Sequence, residues 1–262
     1  MTLVDKVAII SGSSKGIGFA IAKEFAENNG ATVIVCSRIL DQAKRSASLI
    51  NGKTFACQLD VTNDLSIKKL LDQVTTDHGR IDILVNNAGY PFDINIWNKR
   101  FHDNTIEDFD KIIEVDLKGS VSLSKAVIPF MLKNINKTNK KANKDNGGVI
   151  INISSTPAIS GYVGGSLYNI AKAAIICLTK CIAKEYAINN IRAYSLALGN
   201  IATTATYNSM DEDERKNAAQ ESPMKRWGKP EEVAKVAACI AGNVFSFASG
   251  NTITLDGGGT LL

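Results

Sequence analysis

Short runs of apolar and β-branched residues recur along the chain at Val7–Ile10, Thr32–Cys36, Phe55–Leu59, Ile81–Val85, Val149–Ile153, Ile191–Leu198 and Thr252–Leu255. Each has strand length and is nearly continuous in its apolar character, which is the pattern of a strand buried on both faces. The stretches between them follow another rhythm. Ile67, Leu70, Leu71 and Val74 recur at helical spacing after the polar Asp60–Asp64 segment, and Val121, Lys125, Ile128 and Leu132 mark a second amphipathic stretch. Buried strands alternating with helices predict an α/β fold, with a mainly parallel seven-stranded sheet covered by helices on both faces.

Three segments depart from this alternation. Residues 90–104 mix aromatic and charged side chains, residues 134–146 (NINKTNKKANKDN) are polar and lysine-rich, and residues 203–222 carry an acidic helical patch, Asp211–Glu214. The lysine-rich loop reads as a solvated surface turn. The other two leave the carboxyl ends of strands, where open α/β sheets bind ligands, and are expected to hold the substrate. No repeat and no Pro- or Gly-rich linker divides the chain, so residues 1–262 are expected to form one domain.

Composition excludes several classes. With 45% hydrophobic and 21% charged residues the chain reads as globular. Thirty basic against 26 acidic residues leave a formal charge of +4, spread evenly, so nucleic acid is not the expected partner. No uninterrupted apolar run of about 18 residues is present, and no membrane-spanning helix is expected. The segment Met1–Lys6 lacks the pattern of an export signal, and the five cysteines are odd in number and scattered, so a reducing cytoplasm is the expected location. Cys177 and Cys181 lie one helical turn apart without a third ligand nearby, which predicts core packing and no metal. His78 and His102 fit no ligand pattern. Tyr90, Trp97 and Trp227 fall in or beside the two substrate segments, as packing residues or as substrate contacts.

After the first strand comes Ser11-Gly12-Ser13-Ser14-Lys15-Gly16-Ile17-Gly18, then a helical run from Phe19. Glycines at this spacing allow a tight turn, close backbone approach to a pyrophosphate, and a helix N-terminus aimed at the phosphates. The second strand ends at Cys36, where a fold that prefers NAD usually places Asp or Glu for the ribose hydroxyls. Ser37 and Arg38 stand there instead, and Lys15 lies in the glycine loop. Two cations suit a ribose 2′-phosphate, so NADP(H) is expected over NAD(H).

Tyr168 and Lys172 are four residues apart, on one face of a helix. With six tyrosines and 23 lysines, chance alone gives roughly half such a pair, so its context decides. Ser155 closes the strand Val149–Ile153, and Asn86-Asn87-Ala88-Gly89 follows the fourth strand. Together with Asp60-Val61, Gly199, Thr203 and Asp256-Gly257-Gly258, these motifs resemble the short-chain dehydrogenase/reductase family, in order and over essentially the whole chain.

That resemblance implies a single Rossmann-type doubly wound dinucleotide-binding catalytic domain and the reduction of a carbonyl or the oxidation of an alcohol. Carbonyl reduction needs a hydride on carbon and a proton on oxygen. A phenol is a poor base at neutral pH, and a neighbouring ammonium favours its phenolate. Tyr168 is thus the expected general acid/base, Lys172 its tuning cation and a ligand of the nicotinamide ribose, and Ser155 the hydrogen-bond donor to the substrate oxygen. The resemblance also places Thr203 and the backbone near Ile201 at the carboxamide, Asp60 and Val61 beside the adenine, and Asn87, Ala88 and Gly89 along the cofactor. It implies a homotetramer built through helices at about 105–133 and 165–188, with a second contact at the C-terminal strand.

Two positions depart from the family pattern. Asp116 stands where an asparagine usually completes the catalytic set, and a carboxylate there is able to bind Lys172 directly. Leu198 precedes Gly199 where proline is usual, which predicts a looser turn. The substrate is open among 3-oxoacyl thioesters, ketones and sugars. Two alternatives follow from the departures: a non-catalytic NADPH-binding regulator, and an enoyl or dienoyl thioester reductase.

Overall fold

The computed structural model describes residues 2–136, 147–208 and 210–260. All seven expected strands form: β1 (Val7–Ile10), β2 (Thr32–Ser37), β3 (Thr54–Gln58), β4 (Ile83–Asn86), β5 (Gly148–Ser155), β6 (Ile191–Leu198) and β7 (Thr252–Leu255). They pair in one sheet of order β3-β2-β1-β4-β5-β6-β7, and every pairing is parallel. The chain winds outward in one direction through β1, β2 and β3, then in the other from β4. The crevice between β1 and β4 is therefore the switch point at which such sheets bind ligands.

Eleven helices stand between the strands among the described residues: α1 (Gly16–Lys23), α2 (Leu40–Ser48), α3 (Asp64–His78), α4 (Ile94–Trp97), α5 (Ile106–Ile113), α6 (Gly119–Asn136), α7 (Pro157–Ser160), α8 (Ser166–Tyr186), α9 (Thr204–Tyr207), α10 (Glu212–Glu221) and α11 (Pro230–Ala241). Alternate strand residues point to opposite faces. Ile10, Val33, Val85, Ile151 and Leu196 meet Ile21 of α1 and Val233 and Ala237 of α11. Ile9, Ile34, Leu84 and Ile150 meet Ile67, Leu70 and Val74 of α3 and Leu123, Val127 and Met131 of α6. Burial on both sides is why these strands read as unbroken apolar runs.

Local chemistry sets the helix ends. The Asn63 side chain accepts the Ser66 amide at the start of α3, and Gly79 closes that helix with φ +73°. Thr105 and Asp108 form a capping box at the start of α5. The stretch 105–133, expected as one helix, is α5 and α6 joined through a π-helical turn, Glu114–Lys118. Wide turns of this kind are frequent at functional sites. Asp116 lies in this one and is buried.

A buried polar chain ties α6 and α8 to the sheet. Asn86 Nδ2 donates to Ser124 Oγ at 2.8 Å and to Asn152 Oδ1 at 2.7 Å, and Asn152 Nδ2 donates to Thr179 Oγ1 at 2.9 Å. Buried polar networks of this kind specify one packing arrangement, and among the described residues Asn86 Oδ1 is the one member of this polar chain left without a partner. The bonds hold α8, which carries Tyr168 and Lys172, and α6, which the turn with Asp116 leads into.

The structure corrects two expectations, on the cysteine pair and on the turn after β6, and adds one property of α8. Cys177 and Cys181 are exposed on α8, so they do not pack in the core. By length and composition the stretch Ser166–Asn189 is apolar enough to cross a bilayer, with a mean hydropathy of 1.3, a property that a search for uninterrupted apolar runs misses. In this fold it packs on the sheet, with Leu167, Ala171 and Ile175 buried. The turn after β6 is not loosened by Leu198: its carbonyl accepts the Thr156 amide at 3.0 Å, and Gly199 N donates to Leu255 O at 3.0 Å. Strand pairing does there what a proline would do. Of the lysine-rich segment, residues 137–146 lie outside the described residues, as do Leu261 and Leu262.

Candidate active site

The glycine loop joins β1 to α1 at the switch point. Gly12 and Gly16 have φ of +63° and +58°, a region that other residues rarely adopt. At Gly18 the reason is contact: a Cβ would lie 2.4 Å from Asn87 Nδ2 and 2.7 Å from Gly12 O. No side chain caps α1, so its first-turn amides are left for an anion. A backbone that leaves no room for a Cβ beside uncapped helix amides suits a pyrophosphate.

This loop is stitched to both neighbouring strands. Ser13 N donates to Cys36 O, and Ser13 Oγ accepts the Cys36 amide, both at 2.9 Å. Ser46 Oγ of α2 donates to Ser14 O at 2.7 Å. These bonds bring Ser14 and Lys15 to the end of β2, which Ser37 closes and Arg38 follows. Ser37 is buried and accepts the Ile39 amide. Lys15 and Arg38 are exposed and form no ion pair among the described residues. On the other side, Asn87 Nδ2 donates to Ser11 O and Gly12 O at 3.0 and 3.1 Å, and the Asn87 and Ala88 amides both donate to Ser11 Oγ at 3.0 Å. Asp60 Oδ1 accepts the Thr62 amide and hydroxyl, while Val61 is buried against Gly119. Thr203 caps α9 and lies close to Gly16, with Ile201 bridging to Gly228. The expected cofactor residues thus line one edge of the sheet, from β3 to β6.

Deeper in, α8 presents Tyr168 and Lys172 to the end of β5. Lys172 Nζ stands 5.5 Å from the centre of the Tyr168 ring and donates to Ile153 O at 3.3 Å. Ser154 Oγ donates to Lys172 O at 2.8 Å, which fixes the helix on the strand. Ser155 Oγ donates to Leu198 O at 3.3 Å. The Tyr168 hydroxyl makes no hydrogen bond among the described residues.

Asp116 completes the group. Its Oδ1 is 2.8 Å from Lys172 Nζ, and both side chains are buried. Its Oδ2 accepts the Tyr90 amide at 2.8 Å, and its carbonyl accepts the Ser120 hydroxyl at 3.0 Å. Burial opposes the charge on Lys172, while Asp116 and then Tyr168 favour it, and the balance holds the ammonium above its ordinary range. The direct pairing with Lys172 that a carboxylate at this position allows is what the structure contains.

Several residues at the site carry no sequence motif. Trp97 packs beside Tyr168 with ring centres 5.8 Å apart, and Phe92 and Tyr162 pack on Trp97. The Tyr162 hydroxyl donates to Glu221 at 3.0 Å, and Asn200 Nδ2 donates to the same carboxylate at 2.9 Å. The Trp97–Tyr162, Trp97–Tyr168 and Tyr162–Glu221 contacts join residues more than fifty positions apart, which no local spacing signals. Trp227 stacks edge-on against Tyr207, so it packs within the second substrate segment. His78 lies against Phe55, His102 against Asp103, and no cluster of metal-ligating side chains occurs among the described residues.

A parallel sheet with a glycine turn at its switch point, and a Tyr–Lys pair on the helix after β5, define a class of oxidoreductase. The chain belongs to it: it is a member of the short-chain dehydrogenase/reductase family. The matching family model, enoyl-(acyl carrier protein) reductase, spans residues 12–260. The chain is 38% identical over 261 residues to 3-oxoacyl-(acyl-carrier-protein) reductase FabG of Thermotoga maritima, covering 98% of this chain and 99% of that one. It is 33% identical over 262 residues to glucose 1-dehydrogenase 2 of Bacillus subtilis, covering 99% and 96%. Among solved structures it is similar to 3-ketoacyl-(acyl-carrier-protein) reductase of Brucella melitensis complexed with NADH, with a TM-score of 0.89 at 28% identity, covering 99% and 100% of the two chains.

Proposed function

We propose that the protein transfers a hydride between NADP(H) and a carbonyl or secondary-alcohol carbon, with Tyr168 as general acid in reduction and general base in oxidation. The observation that carries this reading is the position of Tyr168 on α8: Lys172 lies one turn further on, close to its ring, and Ser155 ends the strand beneath. The reduced nicotinamide, when bound, supplies the hydride. Tyr168 gives its phenolic proton to the oxygen as negative charge develops there, and the Ser155 hydroxyl, turning from its long bond to Leu198 O, donates a second hydrogen bond to that oxygen. Lys172 lowers the cost of the phenolate left behind and offers a donor to the nicotinamide ribose. Gly12, Ser14, Gly16, Ile17 and Gly18 hold the pyrophosphate, Asp60 and Val61 border the adenine, and Asn87, Ala88, Gly89, Gly199, Ile201 and Thr203 line the nicotinamide half.

Preference for NADP(H) rests on Lys15 and Arg38, two cations without ion-pair partners among the described residues at the end of β2, with Ser37 between strand and cation. The Brucella relative complexed with NADH makes this preference a property to be tested on this chain. The same reading makes residues 1–262 one catalytic domain that works as a homotetramer in the cytoplasm. Val121 and Ile170, apolar and 38% and 44% exposed on α6 and α8, support burial of those helices by another subunit. All five cysteines are free, which suits a reducing compartment. Steady-state oxidation of NADPH and NADH against ketones, 3-oxoacyl thioesters, enoyl thioesters and aldoses tests the reading. Carbonyl turnover with NADPH is expected; turnover of enoyl thioesters alone would replace it with the carbon–carbon reductase reading that Asp116 and the family model's name favour.

A further inference from the structure

The aromatic residues beside Tyr168 form a wall that hydride transfer does not require. α4 brings Trp97 to 5.8 Å from the Tyr168 ring, with Phe92 at 5.6 Å and Tyr162 at 6.4 Å from the indole. A backbone hydrogen bond fixes the Trp97 main chain, and the glycine turn packs on its indole. Trp97 O accepts the Gly165 amide at 2.8 Å, and a Cβ on Gly165 would lie 2.4 Å from indole Cζ3. The Gly164-Gly165 turn into α8 is thus cut to the shape of the indole, and Tyr168, three residues further on, is set at a fixed distance from it. Phe92 and Tyr162 remain 45% and 51% exposed, so the wall faces solvent.

The α10 flank of this wall is acidic, while Arg100, exposed three residues after Trp97, and Lys225, on the Gln220 carbonyl, are cations of the same region. Glu221, at the end of α10, holds the Tyr162 hydroxyl and Asn200. Asp211, Glu212, Asp213 and Glu214 stand at the other end of that helix. Its two cations are already committed, Lys216 to Glu212 at 2.7 Å and Arg215 to the Tyr207 carbonyl at 2.7 Å and the Tyr207 ring. Flat rings stack on aromatic walls, and anions are repelled from a negative rim.

We infer that Trp97 is the specificity-determining residue of the site and that the substrate is a neutral ketone or aldehyde with an aromatic or similarly flat apolar ring next to the carbonyl. A thioester delivered on an acidic carrier protein does not fit this rim. The inference rests on the carbonyl reading above. The ring lies against Trp97 and Phe92, and its stacking orients the carbonyl oxygen toward Tyr168.

Two measurements test it. In the first, NADPH-saturated enzyme is given an aryl ketone, an aliphatic ketone of the same carbon number, the aryl ketone with a para carboxylate, and a 3-oxoacyl thioester free and on carrier protein. In the second, non-reducible aryl and alkyl carboxamides are titrated calorimetrically into the NADP⁺-loaded protein. The neutral aryl ketone is expected to exceed both the aliphatic and the carboxylate-bearing ketone by ten-fold or more in kcat/KM, and the aryl amide to bind at least ten-fold more tightly than the alkyl one. Trp97→Leu is expected to remove the ring preference through KM and Kd, Trp97→Phe to keep most of it, and Glu221→Gln to narrow the penalty on the carboxylate. Equal use of aryl and aliphatic ketones by the wild-type enzyme, or best turnover of the carrier-bound thioester, would overturn the inference while leaving the carbonyl reading intact. Absence of all carbonyl turnover, with the aryl amide preference present and Trp97-dependent, would overturn the carbonyl reading and leave the ring specificity standing.

Discussion

Asp116 Oδ1 lies 2.8 Å from Lys172 Nζ in a place closed to solvent, and the other oxygen of the same carboxylate holds the Tyr90 amide. One side chain therefore locks the loop after β4 to the helix that carries Tyr168. It also offsets part of the positive field that Lys172 exerts on its neighbours. In Asp116→Asn the geometry is retained and the offset is removed. The expected result is a kcat at neutral pH equal to or above wild type, measured with the best carbonyl substrate. A loss of ten-fold or more, about 1.4 kcal/mol in the barrier, would mean that the carboxylate has its own part in the chemistry.

The same pair sets a pH dependence of stability. Burial acts against the Lys172 ammonium, but Asp116 and Tyr168 outweigh it and raise its pKa above the ordinary 10.5. A group whose folded value is raised contributes stability fully below its unfolded value and loses it as pH rises through the folded one. Removing the carboxylate leaves burial dominant and reverses the sign. Urea unfolding from pH 7 to 11 is expected to show Asp116→Asn below wild type at neutral pH, with the gap closing on the alkaline side. A gap that widens toward pH 11 would contradict this.

Tyr168→Phe removes the proton donor while leaving the ring packed on Trp97. Positioned acid/base groups contribute roughly 10²–10⁴-fold. The variant is expected to lose activity in that range while its NADPH dissociation constant, read by nucleotide fluorescence, stays within about three-fold of wild type. Lys172→Met is expected to lose comparable activity and also to weaken NADPH binding.

Lys15 and Arg38 are expected to act on NADPH alone. Hydrogen bonds to charged groups are worth about 1.5–3 kcal/mol, so Lys15→Ala and Arg38→Ala are each expected to weaken NADPH binding by about ten-fold or more. NADH binding is expected to change little. Equal losses for both nucleotides would assign the two cations to the shared pyrophosphate.

The central strands β1, β2, β4, β5 and β6 were legible because burial on both faces writes an apolar run that polar turns cannot imitate, while the partly exposed edge strands β3 and β7 were legible from their β-branched and apolar residues; every strand limit shifts by no more than two residues. The glycine loop was legible because close approach to Asn87 and Gly12 excludes every side chain at Gly18. The inward aim of Asp116 was legible only through the family pattern that sets it beside Lys172; the π-helical turn that carries it was not, since nothing in the spacing of Glu114–Lys118 announces it. Cys177 and Cys181 were misplaced although a signal existed. Leu167, Ala171, Ile175, Thr179 and Ile182 mark the inward face of α8, and that period turns both cysteines outward. The aromatic wall needs the Trp97–Gly165 contact, which joins segments that only the fold brings together.

The most direct test of the central claim is the oxidation of NADPH and NADH in parallel by the wild-type enzyme and Tyr168→Phe, against one panel of ketones, aldehydes, thioesters and sugars. Carbonyl-dependent oxidation with NADPH preferred, abolished in Tyr168→Phe while NADPH still binds, is the predicted result. Tight NADPH binding with no turnover of any carbonyl by the wild-type protein would contradict it and point to a nucleotide-binding regulator.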